Sequence, residues 1–136
     1  MNELANRVAR HLSGQVVIVR DRAPADRKFW GSFSKRSGFG LIDVDPSLKG
    51  QDWLKVLLHE IAHAKSDWGI IQVSEEDAPP RSKNVPRDSE IAQTFDRIAE
   101  PRAEAIAAKW LDWGRSRARS WRPQDVLEAL LRYPVA

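Results

Sequence analysis

Residues 51–67 carry a run in which Trp53, Leu54, Val56, Leu57, Leu58, Ile61, Ala62 and Ala64 recur at helical spacing. On a helix they cover most of the circumference. A helix apolar nearly all round has no face to give to water, so it belongs at the centre of a domain with other elements packed about it. The same run contains His59-Glu60-Ile61-Ala62-His63, two imidazoles one turn apart with a carboxylate beside the first. Asp52, Val56, His59 and His63 share one stripe, which gathers the imidazoles on one side of a buried helix. Gly69 is expected to stop it.

The flanks supply what such a helix needs. Asn2 to His11 reads as a short amphipathic helix ended by Ser13-Gly14. Gln15 to Arg20, with Val16-Val17-Ile18-Val19, reads as a strand buried on both faces. Lys28 to Ser34 and Gly38 to Val44 read as two further strands joined by a hairpin-type link at Lys35-Arg36-Ser37, and Asp45-Pro46-Ser47 breaks the pattern. The polar, proline-rich segment 68–88 reads as a long surface loop. Ser89 is placed to cap the next helix, with Glu90 in its first turn, and apolar residues from Ile91 to Leu111 keep a helical period up to Gly114. Pro101 interrupts that period and predicts a kink or two abutting helices near Glu100. Arg115 to Arg122 reads as a solvated basic linker, and Pro123 to Arg132 as a final helix with proline at its first position. The expectation is one α+β domain over residues 1–136, with a small three-stranded sheet and helices at both ends.

The HExxH spacing carries metal chemistry. Residues four apart on a helix point the same way, so the rings of His59 and His63 can reach one ion, while Glu60 projects beside them without ligating. Such a carboxylate can take a proton from water that a zinc ion makes acidic, and hand it to a leaving amine. Catalytic zinc usually takes three protein ligands. There is no cysteine and His11 is the only other histidine, so a carboxylate on a later helix is the economical third ligand. Glu100 and Glu104, four apart on one helix face, are the candidates, with Glu90 behind them. A helix beginning at Pro101 would make Glu100 its N-cap, which keeps Glu104 in contention.

HEIAH followed by Glu100-Pro101-Arg102-Ala103-Glu104-Ala105-Ile106-Ala107 resembles the ImmA/IrrE-type zincin metallopeptidases, in which HExxH precedes a helix of the form ExxA, then a large apolar residue and Ala. The order of helix, three strands, active-site helix and glutamate helix is likewise similar to the minimal gluzincin domains. The resemblance implies a zincin-like fold binding one zinc ion per chain, with Glu100 as third ligand and Glu60 as catalytic base. It implies that Glu104 hydrogen-bonds a ligating histidine. It also implies that the second strand, through Phe29, Trp30, Gly31, Ser32 and Phe33, forms the sheet edge on which substrate adds as an extended strand. The implied substrate is a protein or peptide, a transcriptional repressor being one such partner.

Composition narrows the alternatives. The absence of cysteine removes disulfides, thiol nucleophiles and cysteine-ligated zinc, and argues for a cytoplasmic home. The start has no basic and apolar leader pattern, and no apolar run approaches the length of a membrane span. Net charge is +3, which permits association with nucleic acid without indicating it. Four arginines with Trp121 in residues 115–122 have the residue types to grip phosphates and stack a base, but no fold-specific signature accompanies them. The competing reading is a catalytically silent binding or regulatory module on the same fold. His11 and Tyr133 are the histidine and tyrosine left to serve as oxyanion donors, and neither is assigned that role.

Overall fold

A computed structural model describes residues 2–24, 29–69 and 95–135. In chain order these form α1 (Asn2–Ser13), β1 (Val17–Asp21), β2 (Gly31–Arg36), β3 (Phe39–Val44), α2 (Gly50–Ser66), a π-helical turn (Phe95–Ala99), α3 (Glu100–Arg117) and α4 (Pro123–Leu130). The fold is α+β, with a mixed three-stranded sheet in the order β1-β3-β2. Residues 70–88 of the expected long loop, and Ser89, Glu90 and Ile91, lie outside the described residues. Among the described residues no helix is long and apolar enough to cross a membrane.

The apolar run takes the central place its composition demands. Leu54, Leu57, Leu58, Ile61, Ala62 and Ala64 of α2 are fully buried. Around them pack α1 through Val8 and Leu12, the sheet through Val17, Ile42 and Val44, α3 through Ala103 and Trp110, and α4 through Val126, Leu127 and Leu130. Each large apolar side chain buried in this way contributes roughly 1.5–3 kcal/mol.

The ends of the elements follow local chemistry. Gly14, at φ 71°, closes α1 with its N–H on the Arg10 carbonyl, and Ser13 caps with its own hydroxyl on Ala9. Asp45 turns the chain after β3 by accepting the Ser47 N–H at 2.9 Å. Gly69 does not end α2. The helix stops at Ser66, and the buried Asp67 that follows is held by His63 of α2 and by Arg102. Nor does Gly114 end α3, which runs on to Arg117. Gly114 is a packing residue: a Cβ there would meet Val126 Cγ1 at 3.0 Å and Leu130 Cγ at 3.1 Å. The basic segment expected to be a free linker is therefore partly helical. Its arginines stack on rings, Arg117 over Trp113 at 4.2 Å and Arg115 over Trp121 at 4.7 Å.

The strands differ from expectation in one respect that matters. β1 is buried on one face only, and Val16 and Ile18 are exposed. It is an edge strand, paired parallel to β3 with Val17 opposite Gly40, so four successive β-branched residues did not mark a central strand. β3 is the central one, and Leu41, Ile42 and Val44 are buried. Arg20 of β1 pairs with Asp43 of β3 through two hydrogen bonds of 2.7 and 3.0 Å. The outer edge of β1 is covered by α1, since Asn6 Oδ1 accepts the Val19 N–H and Arg10 Nε reaches the Val17 carbonyl.

β2 begins later than expected, at Gly31, and Phe29 and Trp30 precede it. It runs antiparallel to β3 with Gly31 opposite Val44. The Trp30 carbonyl accepts the Asp45 N–H, so Ser32, Ser34 and Arg36 face β3 while the backbone groups of Gly31, Phe33 and Lys35 face outward. Trp68, just beyond α2, ties this strand down. Its ring lies 5.8 Å from that of Phe33, and its carbonyl accepts from Lys35 Nζ at 3.1 Å.

Candidate metal centre

α2 and α3 bring together the residues that spacing singled out. His59 Nε2 and His63 Nε2 stand 3.2 Å apart. The two oxygens of Glu100 face them from α3, Oε2 at 3.0 Å from His59 and Oε1 at 2.8 Å from His63. Tetrahedral zinc with bonds of about 2.0–2.1 Å places its ligand atoms about 3.3 Å apart. The cluster needs to open by only a few tenths of an ångström to accept an ion.

Glu100 reaches this position because of how α3 starts. Ala99, the last residue of the π-turn, has helical φ and ψ, and the chain enters α3 directly from it. Glu100 is thus the first residue of α3 with Pro101 next, where proline needs no N–H partner. The expected abutment near Glu100 is present, and its form is a wide turn running into a regular helix. Such turns recur at functional sites.

The far side of each imidazole is also engaged. His59 Nδ1 lies 3.0 Å from Glu104 Oε2, one turn beyond Glu100 on α3. His63 Nδ1 lies 2.9 Å from Asp67 Oδ2, one turn beyond it on α2. Carboxylates accept, so each Nδ1 carries its hydrogen and each Nε2 of the neutral ring presents a lone pair. Two lone pairs and a carboxylate then converge within 3.2 Å. In that tautomer a cation placed between the two lone pairs and the carboxylate would be attracted by all three groups. The donor set fits a metal ion, and His59, His63 and Glu100 offer ligand atoms that all lie within 4.8 Å of one another.

Asp67 and Arg102 are the contributors that the sequence reading missed. Asp67 is fully buried and also accepts a hydrogen bond from Arg102 of α3. Arg102 compensates the buried charge and ties the end of α2 to the helix that carries Glu100. The available signal was an acid four residues after His63, on the same helix face.

Glu60 is buried, with its carboxyl pushed up to about 8 first by loss of water and second by the Glu100 charge. It lines an open cleft of about 350 Å³ together with His59, Glu100, Glu104, Val56, Lys55, Gly31, Phe29 and Trp30. Of the proposed edge residues, Gly31 therefore meets the cleft from within β2, and Phe29 and Trp30 meet it from the segment before the strand. Ser32 lies in β2, as does Phe33, which turns to Trp68. Gly31 lies so close to α2 that a Cβ there would come within 2.4 Å of Val56 Cγ1 and 3.2 Å of Glu60 Cγ. His11 and Tyr133 are elsewhere: His11 Nε2 lies 2.7 Å from the Tyr133 carbonyl, and the tyrosine ring packs on Trp110 and Trp113.

Comparison of the chain with protein-family models, with curated proteins and with solved structures finds no match.

Proposed function

We propose that the protein is a zinc-dependent metallopeptidase of the zincin kind, hydrolysing peptide bonds of a protein or peptide substrate. The observation that carries this reading is the convergence of His59, His63 and Glu100 with the buried carboxyl of Glu60 beside them. Zinc held there would supply Lewis acidity to the substrate carbonyl and to the attacking water. The chain's own groups do the rest. Glu104 and Asp67 hold the Nδ1 hydrogens and so keep the Nε2 atoms free to ligate. Glu60, whose affinity for a proton falls when a cation sits beside it, takes the proton of the attacking water and returns it to the leaving amine. The outward N–H and C=O groups of Gly31 and Phe33 offer an extended substrate backbone an antiparallel partner along β2. A protein partner such as a transcriptional repressor is the substrate class that the likeness to ImmA/IrrE-type enzymes implies.

Zinc counted per chain and proteolysis of unfolded casein test the reading together. Wild type is expected to hold one zinc ion and to cleave. Glu60→Gln is expected to hold the same zinc and to lose cleavage by a factor of about 100 or more, the usual scale for a general base. Cleavage undiminished in Glu60→Gln would overturn Glu60 as the base, and a wild-type chain that holds no zinc and does not cleave would leave a silent binding module as the better description.

A further inference from the structure

The cleft has one feature that a water-activating site does not itself require. Lys55 lines it one helical turn before His59. It is exposed and has no hydrogen-bond or ion-pair partner among the described residues. None of the acids that share the cleft is paired with Lys55. Glu100 and Glu104 face the imidazoles, and Glu60 is buried. Next to Lys55 the wall turns apolar: Val56 follows it on α2, and Phe29 and Trp30 stand opposite, 52% and 57% exposed. A large indole that is 57% exposed beside an open cleft, as Trp30 is, marks a surface that gains from being covered. An unpaired ammonium beside such a surface is a site for an anion supplied by whatever covers it.

We infer that the cleft selects peptides that carry a carboxylate for Lys55 next to a large apolar side chain for the Trp30 and Phe29 wall. This inference rests on the peptidase reading and names the substrate class of that same site. The spacing follows from helix and strand geometry. The four residues from Lys55 to His59 span about 6 Å along the axis of α2, and an extended peptide advances about 3.3 Å per residue. The carboxylate therefore belongs about two residues from the bond at the metal. It comes either from an aspartate or glutamate side chain or from the free C-terminus of the peptide. The first source makes the protein an endopeptidase with acidic preference, and the second makes it trim chain ends.

The experiment measures binding, so that it does not depend on turnover. Zinc-loaded Glu60→Gln is titrated with fluorescein-labelled hexapeptides holding one phenylalanine, with glutamate, glutamine or lysine two residues to either side of it. Each is made with an amidated and with a free C-terminus. Glutamate is expected to bind about tenfold more tightly than glutamine, as a charge-assisted pair does over a neutral one. With Lys55→Glu added, the order is expected to invert in favour of lysine. Lys55 is exposed, so the reversal leaves the core intact, and Lys55→Gln serves as a neutral control in which glutamate and glutamine bind alike. Preference for the free over the amidated C-terminus, abolished by Lys55→Glu, would identify the chain end as the source. A glutamate preference that survives Lys55→Glu, or the absence of any charge preference or binding in the Glu60→Gln protein, overturns the inference. Charge inversion in the binding series with no casein cleavage by wild type would sustain the inference for a peptide-binding cleft and remove the peptidase reading.

Discussion

Glu60 shows how much one carboxyl can say about the state of the site. Its ordinary value is 4.5, and burial with the Glu100 charge raises it to about 8 in the protein without an ion. A group whose proton is held more tightly in the folded than in the unfolded chain stabilises the fold fully below the unfolded value. That contribution is lost as pH rises through the folded one. The metal-free protein is therefore expected to lose stability steadily between about pH 4.5 and pH 8, by up to about 1.4 kcal/mol per pH unit. Urea midpoints at pH 5.5 and pH 8 measure it. Glu60→Gln is expected to flatten the slope, and equal slopes in the two proteins would show that Glu60 is not the group responsible. Zinc attracts the carboxylate form and is expected to make the slope shallower. Glu60 was legible from the motif, since its place beside two imidazoles on one helix follows from spacing alone. The raised affinity for a proton was not, because it depends on how deeply α2 is buried and on where α3 sets Glu100.

Between elements β2 fits closely on α2. Gly31 crosses α2 where a Cβ would overlap Val56 Cγ1 at 2.4 Å, so Gly31→Ala must push the strand from the helix. The expected cost is about 1–3 kcal/mol of stability, the usual range for overpacking, with weakened peptide binding. Removing the obstructing methyls in a Gly31→Ala, Val56→Ala double variant is expected to recover part of that loss, a coupling that thermal melts of the four proteins would reveal. Strictly additive effects would mean that the two do not meet. Sequence periodicity placed α1, α2 and α4 to within a few residues, because each has a strong apolar stripe or a proline start. It failed where a tertiary contact decided the outcome. Val16-Val17-Ile18-Val19 looks like a strand buried on both faces, yet β1 is an edge whose second face meets water. Gly69 and Gly114 look like helix stops, yet Asp67 is held by His63 and Arg102, and Gly114 makes room for Val126 and Leu130 of α4. His59, His63, Glu100 and Glu104 could be found by spacing, whereas the Asp67–Arg102 bridge needs two helices in register, which no single stretch of sequence encodes.

For the molecule as a whole, α2 and α3 meet through groups that could hold a cation, and also through apolar packing. Any ion taken by the folded chain alone stabilises it by mass action, by about 2.7 kcal/mol at a hundredfold excess over the dissociation constant. Treatment with a chelator is therefore expected to lower the melting temperature and added zinc to restore it, with His63→Ala unresponsive to either. A melting temperature indifferent to zinc would show that the three groups do not act as a ligand set. The sheet, meanwhile, is lopsided. On one side Asn6 and Arg10 occupy the backbone groups of β1, and on the other the outward groups of Gly31, Phe33 and Lys35 have no partner among the described residues. A sheet closed on one flank cannot propagate through stacked copies of itself, since every added chain would have to use the same flank of its neighbour. That asymmetry guards against fibre growth by strand addition, and among the described residues the flank left available lies beside the cleft.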